Sequence, residues 1–449
     1  MTIAQSFILI LAVFLPHYCV TCFTTHPSSV IGPTSILLSR RSSNPLTTIA
    51  MSDTQETPQR SPLEANTVWK HVNHVLEEVN PSLTEKLGIS LRPITDWKES
   101  FKGDNQSLDA PLYFGIELVN TGNEKKKDQI SFLSFYIGYS TWEGLCVFVD
   151  ELGQMDNNSQ NDYDAINKDQ LFLQILAKIA VRLGSKRLTW KRRPPHPTWY
   201  QSNPVGPPSI LEELHIFHMD QEAMKVYVNH DSSEPSLSST VPSLDRSSVE
   251  VQSKTILESS SFASHNKFSM RLANANNLQD AQAMHRLVEG LAIYVKEPLE
   301  DIHCDASDYL VDGSGSHPLY YTFLLETPEE TDSNKSGPEP AKLTCGNAIV
   351  YFGHSYKGGR YLYLEDLYVD QAYQHQGAGS LALKVLTTLA LKMNCQSFQW
   401  LALDWNQPAL DLYQKKMGAK IQEGKKVTRY TDRKLKEFAD GFSKTLVEM

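Results

Sequence analysis

Hydrophobic and polar positions follow their clearest pattern between residues 361 and 413. The pattern predicts a strand, a glycine-containing loop, a helix, a second strand and a last helix, at 361–369, 374–379, 380–393, 398–403 and from Pro408 onward. In the first helix, the apolar residues at 382, 386, 389 and 393 recur with the period that places them on one face. The last helix begins near a proline, whose fixed φ and missing N–H are tolerated in a first turn. The order predicts an α/β arrangement.

The middle of the chain repeats this pattern. Residues 135–152 parallel 350–367 without a gap, and residues 171–190 parallel 381–400 in the same way. A shorter match joins 110–120 to 317–327. The common order and similar offsets predict two copies of one fold, and a period of about 200 residues argues against a solenoid.

The first copy lacks the glycine loop. Its place is taken by residues 154–170, an acidic stretch without a glycine, which would repel an anionic ligand. We therefore expect a non-catalytic domain at 60–229 and a catalytic domain at 266–449. Between them, residues 230–265 are rich in serine and predict an unstructured linker, and residues 326–340 predict an exposed loop within the second copy.

Composition narrows the classes of partner. The 449 residues allow two or three domains, and a hydrophobic content of 41% is enough for real cores. A net charge of −10 argues against nucleic acid as a partner and is compatible with cationic substrates. The cysteines outside the N-terminal region stand in apolar runs and are expected to be buried thiols rather than metal ligands: Cys146, Cys304, Cys345 and Cys395.

The N-terminal region has the composition of a targeting sequence. Residues 1–52 contain no Asp or Glu, and an apolar run at 6–16 is too short to span a bilayer. We interpret residues 1–22 as a signal peptide and 23–52, which are rich in Ser and Thr, as a transit-peptide-like segment. The pair resembles the bipartite presequence of proteins imported into plastids of secondary-endosymbiotic algae, which leaves no membrane segment in the mature protein. Secretion, or a cytoplasmic protein that starts at Met51, remains an alternative.

The strand, glycine loop and helix at the centre of the pattern make an anion site. Glycines allow close approach of a ligand, and the unpaired N–H groups and dipole of the helix favour negative charge. A pyrophosphate would fit there. The loop resembles the acetyl-coenzyme A motif of the GNAT acetyltransferase superfamily, Arg/Gln-x-x-Gly-x-Gly/Ala, which Gln374, Gly377 and Gly379 match.

A closer resemblance covers residues 267–294, 362–366 and 404–419, which are similar to the spermidine/spermine and thialysine acetyltransferase group. It implies tandem GNAT-like folds of class α/β (α+β), each a mixed, mostly antiparallel sheet flanked by helices. It implies acetyl transfer from acetyl-CoA, without a metal, to a small diamine or diamino acid. Members of that group are homodimers whose substrate groove borrows residues from the partner subunit. The two copies are therefore expected to form a pseudo-dimer within one chain, with Trp142 as an aromatic wall of the groove.

The resemblance also implies the site residues. Glu365 would be the general base, through a water, and Tyr413 the general acid, whereas Asp366 is expected to face solvent at the strand end. Asn406 would bind the cofactor, or cap the next helix instead. The remaining cofactor-binding residues would be Leu367, Tyr368, Val369, Gln374, His375, Gln376, Gly377, Ala378, Gly379 and Ser380.

The chain departs from that group at the substrate end. Val295 and the segment 355–357 replace the acidic residue and the Asp-Pro-Trp of polyamine enzymes. Lys357 would repel a second ammonium, which favours a substrate that carries a carboxylate. Two other functions stay open at this point: acetylation of a protein or peptide, and a non-catalytic coenzyme A-binding scaffold.

Overall fold

The computed structural model describes residues 61–95, 112–121, 129–154, 167–194, 196–229, 241–259, 262, 267–328 and 342–442. From Pro62 onward they belong to one compact unit. The targeting sequence predicted at 1–52 lies outside the described residues, as do 155–166 of the acidic stretch and 329–341 of the predicted loop. In the described part, no helix is long and apolar enough to cross a membrane.

The strands, in chain order, are β1 Ile89–Pro93, β2 Tyr113–Asn120, β3 Gln129–Ser140, β4 Gly144–Gln154, β5 Arg187–Arg192, β6 Ser209–Leu211, β7 Leu214–Asp220, β8 Ser269–Leu272, β9 Tyr321–Pro328, β10 Lys342–Ser355, β11 Gly359–Val369, β12 Ser397–Leu403, β13 Lys420–Ile421 and β14 Lys426–Thr431. The α-helices are α1 Ala65–Leu87, α2 Lys168–Arg182, α3 Trp199–Ser202, α4 Gln221–Asn229, α5 Arg246–Leu257, α6 Leu278–Val295, α7 Ala306–Asp312, α8 Ala378–Lys392, α9 Gln407–Asp411 and α10 Asp432–Asp440. A π-helical turn, Leu412–Lys416, continues α9.

The catalytic copy has the predicted elements. Its central helix, expected at 380–393, is α8, and the strands expected at 361–369 and 398–403 are β11 and β12. The periodic face of α8 is buried, because it packs in the same core as the inner faces of both strands. The four cysteines outside the targeting sequence are free and buried, as predicted.

The two copies build two seven-stranded sheets of the same design. One has the order β1-β2-β3-β4-β5-β14-β6, and the other β8-β9-β10-β11-β12-β7-β13. In both sheets the first four strands are antiparallel neighbours, and the fifth pairs in parallel with the fourth. The tandem α/β (α+β) fold with mixed, mostly antiparallel sheets is therefore confirmed.

The sixth strand of each sheet comes from the other copy. β7, which ends the first copy, pairs along its full length with β12, from Leu214–Leu403 to Asp220–Ser397. β14, near the end of the second copy, pairs with β5 in the same antiparallel sense. The helices that follow these strands also contact the other copy, because α4 packs on α8 and α10 packs on α2. Each sheet therefore needs both copies for its completion.

This exchange also joins the cores. Phe217 of β7 is fully buried, with its ring centroid 5.6 Å from that of Trp400 and 5.0 Å from that of Tyr413. In the other sheet, Tyr430 of β14 lies 5.8 Å from Trp190. The domain boundaries at 60–229 and 266–449 stay a prediction, but the sheets themselves cross them.

The prediction that 230–265 is unstructured is wrong for residues 246–257. These residues form α5, whose N-terminus is capped by the Asp245 carboxylate through a hydrogen bond from the Ser248 N–H. Val249 and Ile256 are buried against the core of the second sheet. The high serine content led to the prediction of an unstructured segment, although the stretch is amphipathic. A few apolar residues with helical spacing are enough for a short helix to pack on an existing core.

Candidate active site

Glu365 stands where the catalytic sheet opens. The parallel pairing of β11 with β12 ends at Leu364 and Trp400, so the strands separate from Glu365 onward. On the opposite side, Asp366 pairs with Ile349 and Leu364 with Val350, which leaves Glu365 as the extra residue of a β-bulge. A bulge redirects a side chain and strengthens the local twist. Here it sets the carboxyl apart at the start of the opening.

The residues predicted to hold the pantetheine arm follow directly. Leu367, Tyr368 and Val369 are buried and pair with β10 through Gly346, Asn347 and Ala348, while their other edge lies beyond the last pair with β12. Amide groups on that edge face the gap between the strands. They are the donors that an extended amide-containing chain would need.

The glycine loop lies at the same end of β11. Gly377 has φ 102° and is the N-cap residue of α8, and His375 has φ 58°. Ala378, Gly379 and Ser380 form the first helical turn, whose N–H groups have no partner within the helix. This geometry is compatible with the anion site that the sequence predicts, which stays a prediction. His375, Gln376, Gly377 and Ser380 are exposed there.

Two glutamines of the loop have structural contacts. Gln374 is buried, and its Nε2 donates to the Val369 carbonyl over 2.8 Å. Gln376 donates in the same way to the Ala372 carbonyl. Their side chains thus shape the loop, so that any contact of Gln374 with a ligand would come from its backbone or its remaining amide atoms.

Asn406 and Tyr413 are buried polar groups left without a partner. The Asn406 amide is 1% exposed, caps α9 by position but makes no side-chain cap bond, and has no hydrogen-bond partner among the described residues. The Tyr413 hydroxyl is also buried without a hydrogen-bond partner among the described residues, and its ring packs on Trp400 and Phe217. Unpaired buried polar atoms are costly. They are therefore expected to meet a ligand or water at this edge of the sheet.

The topology brings these residues to one edge. Asn406 follows the carboxyl end of β12, and the loop with α8 follows the carboxyl end of β11. Because these two strands are parallel, their carboxyl ends meet at the same edge of the sheet. Burial raises the pKa of the Tyr413 phenol far above its usual value, so that it stays protonated. The edge therefore combines a carboxyl, a neutral phenol and a helix N-terminus.

The Glu365 carboxyl is electrostatically unusual. Burial raises its pKa strongly; the Arg187 guanidinium opposes this shift, and the Asp366 and Glu143 carboxyls add to it. The pKa of Asp366 is raised by burial as well. Asp366 is 2% exposed, so the expectation that it faces solvent is wrong. Perturbed acids of this kind concentrate at functional sites.

The first copy supplies part of the surroundings of this acid pair. Thr141 Oγ1 donates to Asp366 Oδ2 over 2.5 Å, and the Ser140 hydroxyl bonds to Glu365. Both residues stand at the turn between β3 and β4. That turn is held by the second copy in return, because Tyr309 Oη donates to the Thr141 carbonyl and the His303 N–H donates to the Trp142 carbonyl.

A buried ion pair lies beside these contacts. Arg187 Nη1 of β5 is 2.9 Å from Glu143 Oε2, and both residues are buried. Sequence analysis missed this pair. In the gapless repeat, Arg187 aligns with Ser397 and Glu143 with Gly358. The signal that could have revealed the pair is a difference between the copies: the first copy has charged residues where the second copy has a serine and a glycine.

The turn of the second copy makes the corresponding contacts with the first. Asp150 aligns with Glu365 and is likewise the bulge residue of its strand. Its Oδ2 accepts hydrogen bonds from the Tyr356 N–H at 2.6 Å, from Tyr113 Oη at 2.8 Å and from Ser134 Oγ at 3.1 Å. The two acid positions thus face each other's turns around an approximate twofold relation.

Lys357 belongs to this second set of contacts. Its Nζ pairs with Glu151 Oε1 over 2.7 Å, and its side chain is largely exposed. The residues that contact Glu365 and Asp366 are instead Ser140 and Thr141. Lys357 is therefore paired with a carboxylate of the first copy, and its effect on a second ammonium stays a prediction. Trp142 is 1% exposed, next to the threonine that bonds Asp366.

Comparison with known proteins adds independent information. Residues 345–419 match the model of the acetyltransferase (GNAT) family. The chain is 33% identical over 174 residues to spermidine/spermine N(1)-acetyltransferase-like protein 1 of Homo sapiens, which covers 38% of this chain and 24% of that protein. It is 35% identical over 135 residues to thialysine N-epsilon-acetyltransferase of Bos taurus, which covers 30% of this chain and 75% of the bovine protein.

A plant relative is more distant. L-ornithine N5-acetyltransferase NATA1 of Arabidopsis thaliana is 25% identical over 118 residues, or 25% of this chain and 51% of that protein. The chain thus spans three quarters of the bovine relative, about half of the plant one and a quarter of the human one. In the described part of the chain, no group of three or more His, Cys, Asp or Glu side chains is placed to hold a metal ion.

Proposed function

The chain belongs to the acetyltransferase (GNAT) family, and from that premise we propose that it is an acyltransferase acting on amines, which moves the acetyl group of acetyl-CoA to the primary amine of a small diamine or diamino acid. The observation that carries the proposal is the opened sheet edge, where the bulged Glu365 and the buried, unpartnered Tyr413 and Asn406 stand at one end of parallel strands. The bovine and plant relatives are named as acetyltransferases of thialysine and L-ornithine, and the human relative is named for its likeness to a spermidine/spermine acetyltransferase.

Glu365 takes the proton of the acceptor amine through a water. An alkyl ammonium has a pKa near 10.4, so its deprotonation at pH 7.5 costs roughly 4 kcal/mol. A general base works best when its own pKa lies close to the working pH. The burial that raises the pKa of Glu365 moves this carboxyl in that direction.

Tyr413 returns a proton to the leaving sulfur. Its phenol stays protonated at neutral pH because burial raises its pKa, and its hydroxyl has no partner among the described residues that would compete for the proton. The nitrogen–carbon bond forms as the carbon–sulfur bond breaks, so the thiolate receives the proton as its charge develops. Asn406, at the same edge, has both amide atoms available for hydrogen bonds to the ligand.

Acetyl-CoA supplies the activated thioester, and the chain offers a fitting set of donors for it. Within Leu367–Val369, the N–H groups that face the gap rather than β10 suit the amides of pantetheine. The first turn of α8, from Ala378 to Ser380, suits a pyrophosphate, with Gly377, Gln376 and His375 around it. Neutral amides and a helix N-terminus are complementary to these groups.

We further propose that the two copies act as a pseudo-dimer in which the first copy replaces a partner subunit. The exchange of β7 and β14 and the reciprocal contacts of the two turns support this view. The surroundings of Glu365 are then completed within one chain. From the presequence composition, we place the enzyme in a plastid.

The substrate class is tested by a turnover screen. The protein that follows the predicted targeting sequence, residues 53–449, is incubated with acetyl-CoA and with diamines, diamino acids or lysine-containing peptides. Release of the coenzyme A thiol is followed over time. We expect release with the small amines and little with peptides. Turnover with peptides alone would favour a protein acetyltransferase. Binding of coenzyme A by calorimetry, without thiol release for any amine, would favour the scaffold.

A further inference from the structure

The first copy contributes a charge to the catalytic centre as well as a surface. The Arg187–Glu143 pair is buried at an ion-pair distance of 2.9 Å, and Arg187 Nε has no hydrogen-bond partner among the described residues. A buried ion pair is a weak source of stability, since well-packed apolar residues often serve equally well. Glu143 is two residues after Thr141, which bonds Asp366 over 2.5 Å, so the pair sits at the turn that contacts the acid pair and calls for another explanation.

Position and asymmetry provide that explanation. Arg187 lies on β5, next to the exchanged β14, and its charge acts on both Glu365 and Asp366. At the equivalent places around Asp150, the second copy has Ser397 and Gly358. The charged pair is therefore built on one side of the pseudo-dimer, and that side faces the copy with the glycine loop.

We propose that Arg187 is a positioning residue that tunes the catalytic base Glu365, and that Glu143 sets how much of the Arg187 charge reaches it. This inference rests on the proposed function in taking Glu365 as the base. Glu143 opposes Arg187 in two ways, because it neutralises the guanidinium and repels the ionised form of Glu365. The two residues should therefore act on the base with opposite sign.

Among the other titratable groups around Glu365, Asp366 acts with the same sign as Glu143, whereas the phenols and the thiol do not share this role. Those that act on it or are acted on by it are Tyr136 and Cys146 from the first copy, and Tyr351, Tyr363 and Asp366 from its own sheet. Burial raises the pKa of each phenol and of the thiol, so these groups stay neutral near pH 7. Among the described residues named here, the fixed positive charge comes from Arg187.

The test is the pH dependence of kcat at saturating acetyl-CoA and amine, in variants of the full chain. Loss of the positive charge in Arg187→Gln should move the acidic limb up by about one pH unit, the lower end for a close opposite charge. Glu143→Gln should move it down. Arg187→Lys should keep most of the wild-type position. Arg192→Gln is the matched control, since Arg192 lies on the same strand and pairs with Asp169 at 2.7 Å, both one-third exposed.

A second measurement needs no turnover. Infrared difference titration follows the carbonyl band of a protonated buried carboxyl, and the band that disappears in Glu365→Gln reports Glu365 directly. We expect its midpoint to move in the same opposite directions in the two variants. If Arg187→Gln does not fold, Glu143→Gln still carries a signed expectation by both methods.

Outcomes separate the inference from the proposed function. If Glu365→Gln removes the acidic limb, but the Arg187 and Glu143 variants leave it unmoved or move it the same way, the inference is wrong and the base assignment stands. If the limb persists in Glu365→Gln, the base assignment fails, and the infrared midpoints alone then decide whether Arg187 and Glu143 act on this carboxyl.

Discussion

Phe217 offers the sharpest test of the strand exchange, because it belongs to the first copy by sequence and to the catalytic core by position. Its ring is fully buried between Trp400 and Tyr413, with centroids 5.6 Å and 5.0 Å away. Replacement of a buried Phe by Ala costs about 3–5 kcal/mol. That is a large part of a total stability of roughly 5–15 kcal/mol.

Phe217→Ala should therefore reduce both stability and activity. With an m-value of about 3 kcal/mol/M, the urea midpoint should fall by roughly 1–2 M. Activity should fall by about 10²-fold, as a misplacement of about 1 Å in a catalytic group can cause, since the Tyr413 ring loses a supporting neighbour. The matched control is Val226→Ala on α4, whose side chain is 66% exposed and whose loss should change stability by less than about 0.5 kcal/mol.

Buried thiols allow each copy to be followed separately. Cys146 lies in the sheet that begins with β1, and Cys395 directly precedes β12 of the other sheet. Labelling of each thiol across a urea series, read by mass spectrometry, should give one shared midpoint, and Phe217→Ala should move both. Two separate midpoints, of which the variant moves only that of Cys146, would refute the reasoning and favour independent domains.

Three further predictions concern the site. Tyr413→Phe should lower kcat by about 10²–10⁴-fold with an unchanged urea midpoint and acetyl-CoA affinity, because the hydroxyl has no partner to lose; activity within twofold of wild type would make it a packing residue. Gly377→Val should abolish acetyl-CoA binding in calorimetry, since φ is 102° there, while Gly424→Val, with φ 72° in an equally open turn, should not. Glu365→Gln should raise the free energy of unfolding at pH 8 more than at pH 4. The folded carboxyl has a raised pKa and keeps its proton to a higher pH than the unfolded one, so wild-type stability falls as pH rises between the two pKa values. An equal effect of the substitution at both pH values would contradict this.

The catalytic elements could be predicted because their signals are local. The helical period of α8 and the apolar runs of β11 and β12 are visible in residues that are close together in the sequence. The observed bounds of these three elements lie within two residues of the expected ones. The repeat was visible as well, since gapless stretches align across it. The bulge at Glu365 could not be predicted, because a bulge depends on the register between β11 and β10.

The strand exchange could not be predicted for a related reason. β7 and β14 are short strands of seven and six residues, and nothing in their own residues says whether they join the sheet of their own copy or the other one. That choice is made by pairing over about 200 residues of chain, which local pattern does not encode. The contact of Lys357 with Glu151 could not be predicted for the same reason, because the turn that carries Lys357 reaches into the other copy.

The two acid positions explain how one copy could lose its chemistry while its fold was retained. Asp150 Oδ2 accepts hydrogen bonds from a phenol and a hydroxyl of its own copy and from the Tyr356 N–H in the turn of the second copy, so this oxygen is engaged at the interface. Burial raises the pKa of Asp150 while these hydrogen bonds oppose the shift, and protonation of the carboxylate would weaken bonds that fix the interface. Glu365 has the Ser140 hydroxyl and the Arg187 charge instead, which leave lone pairs for a water. The same bulged acid thus contacts the interface in one copy and holds the proposed base position in the other, and each position contacts the other copy's turn.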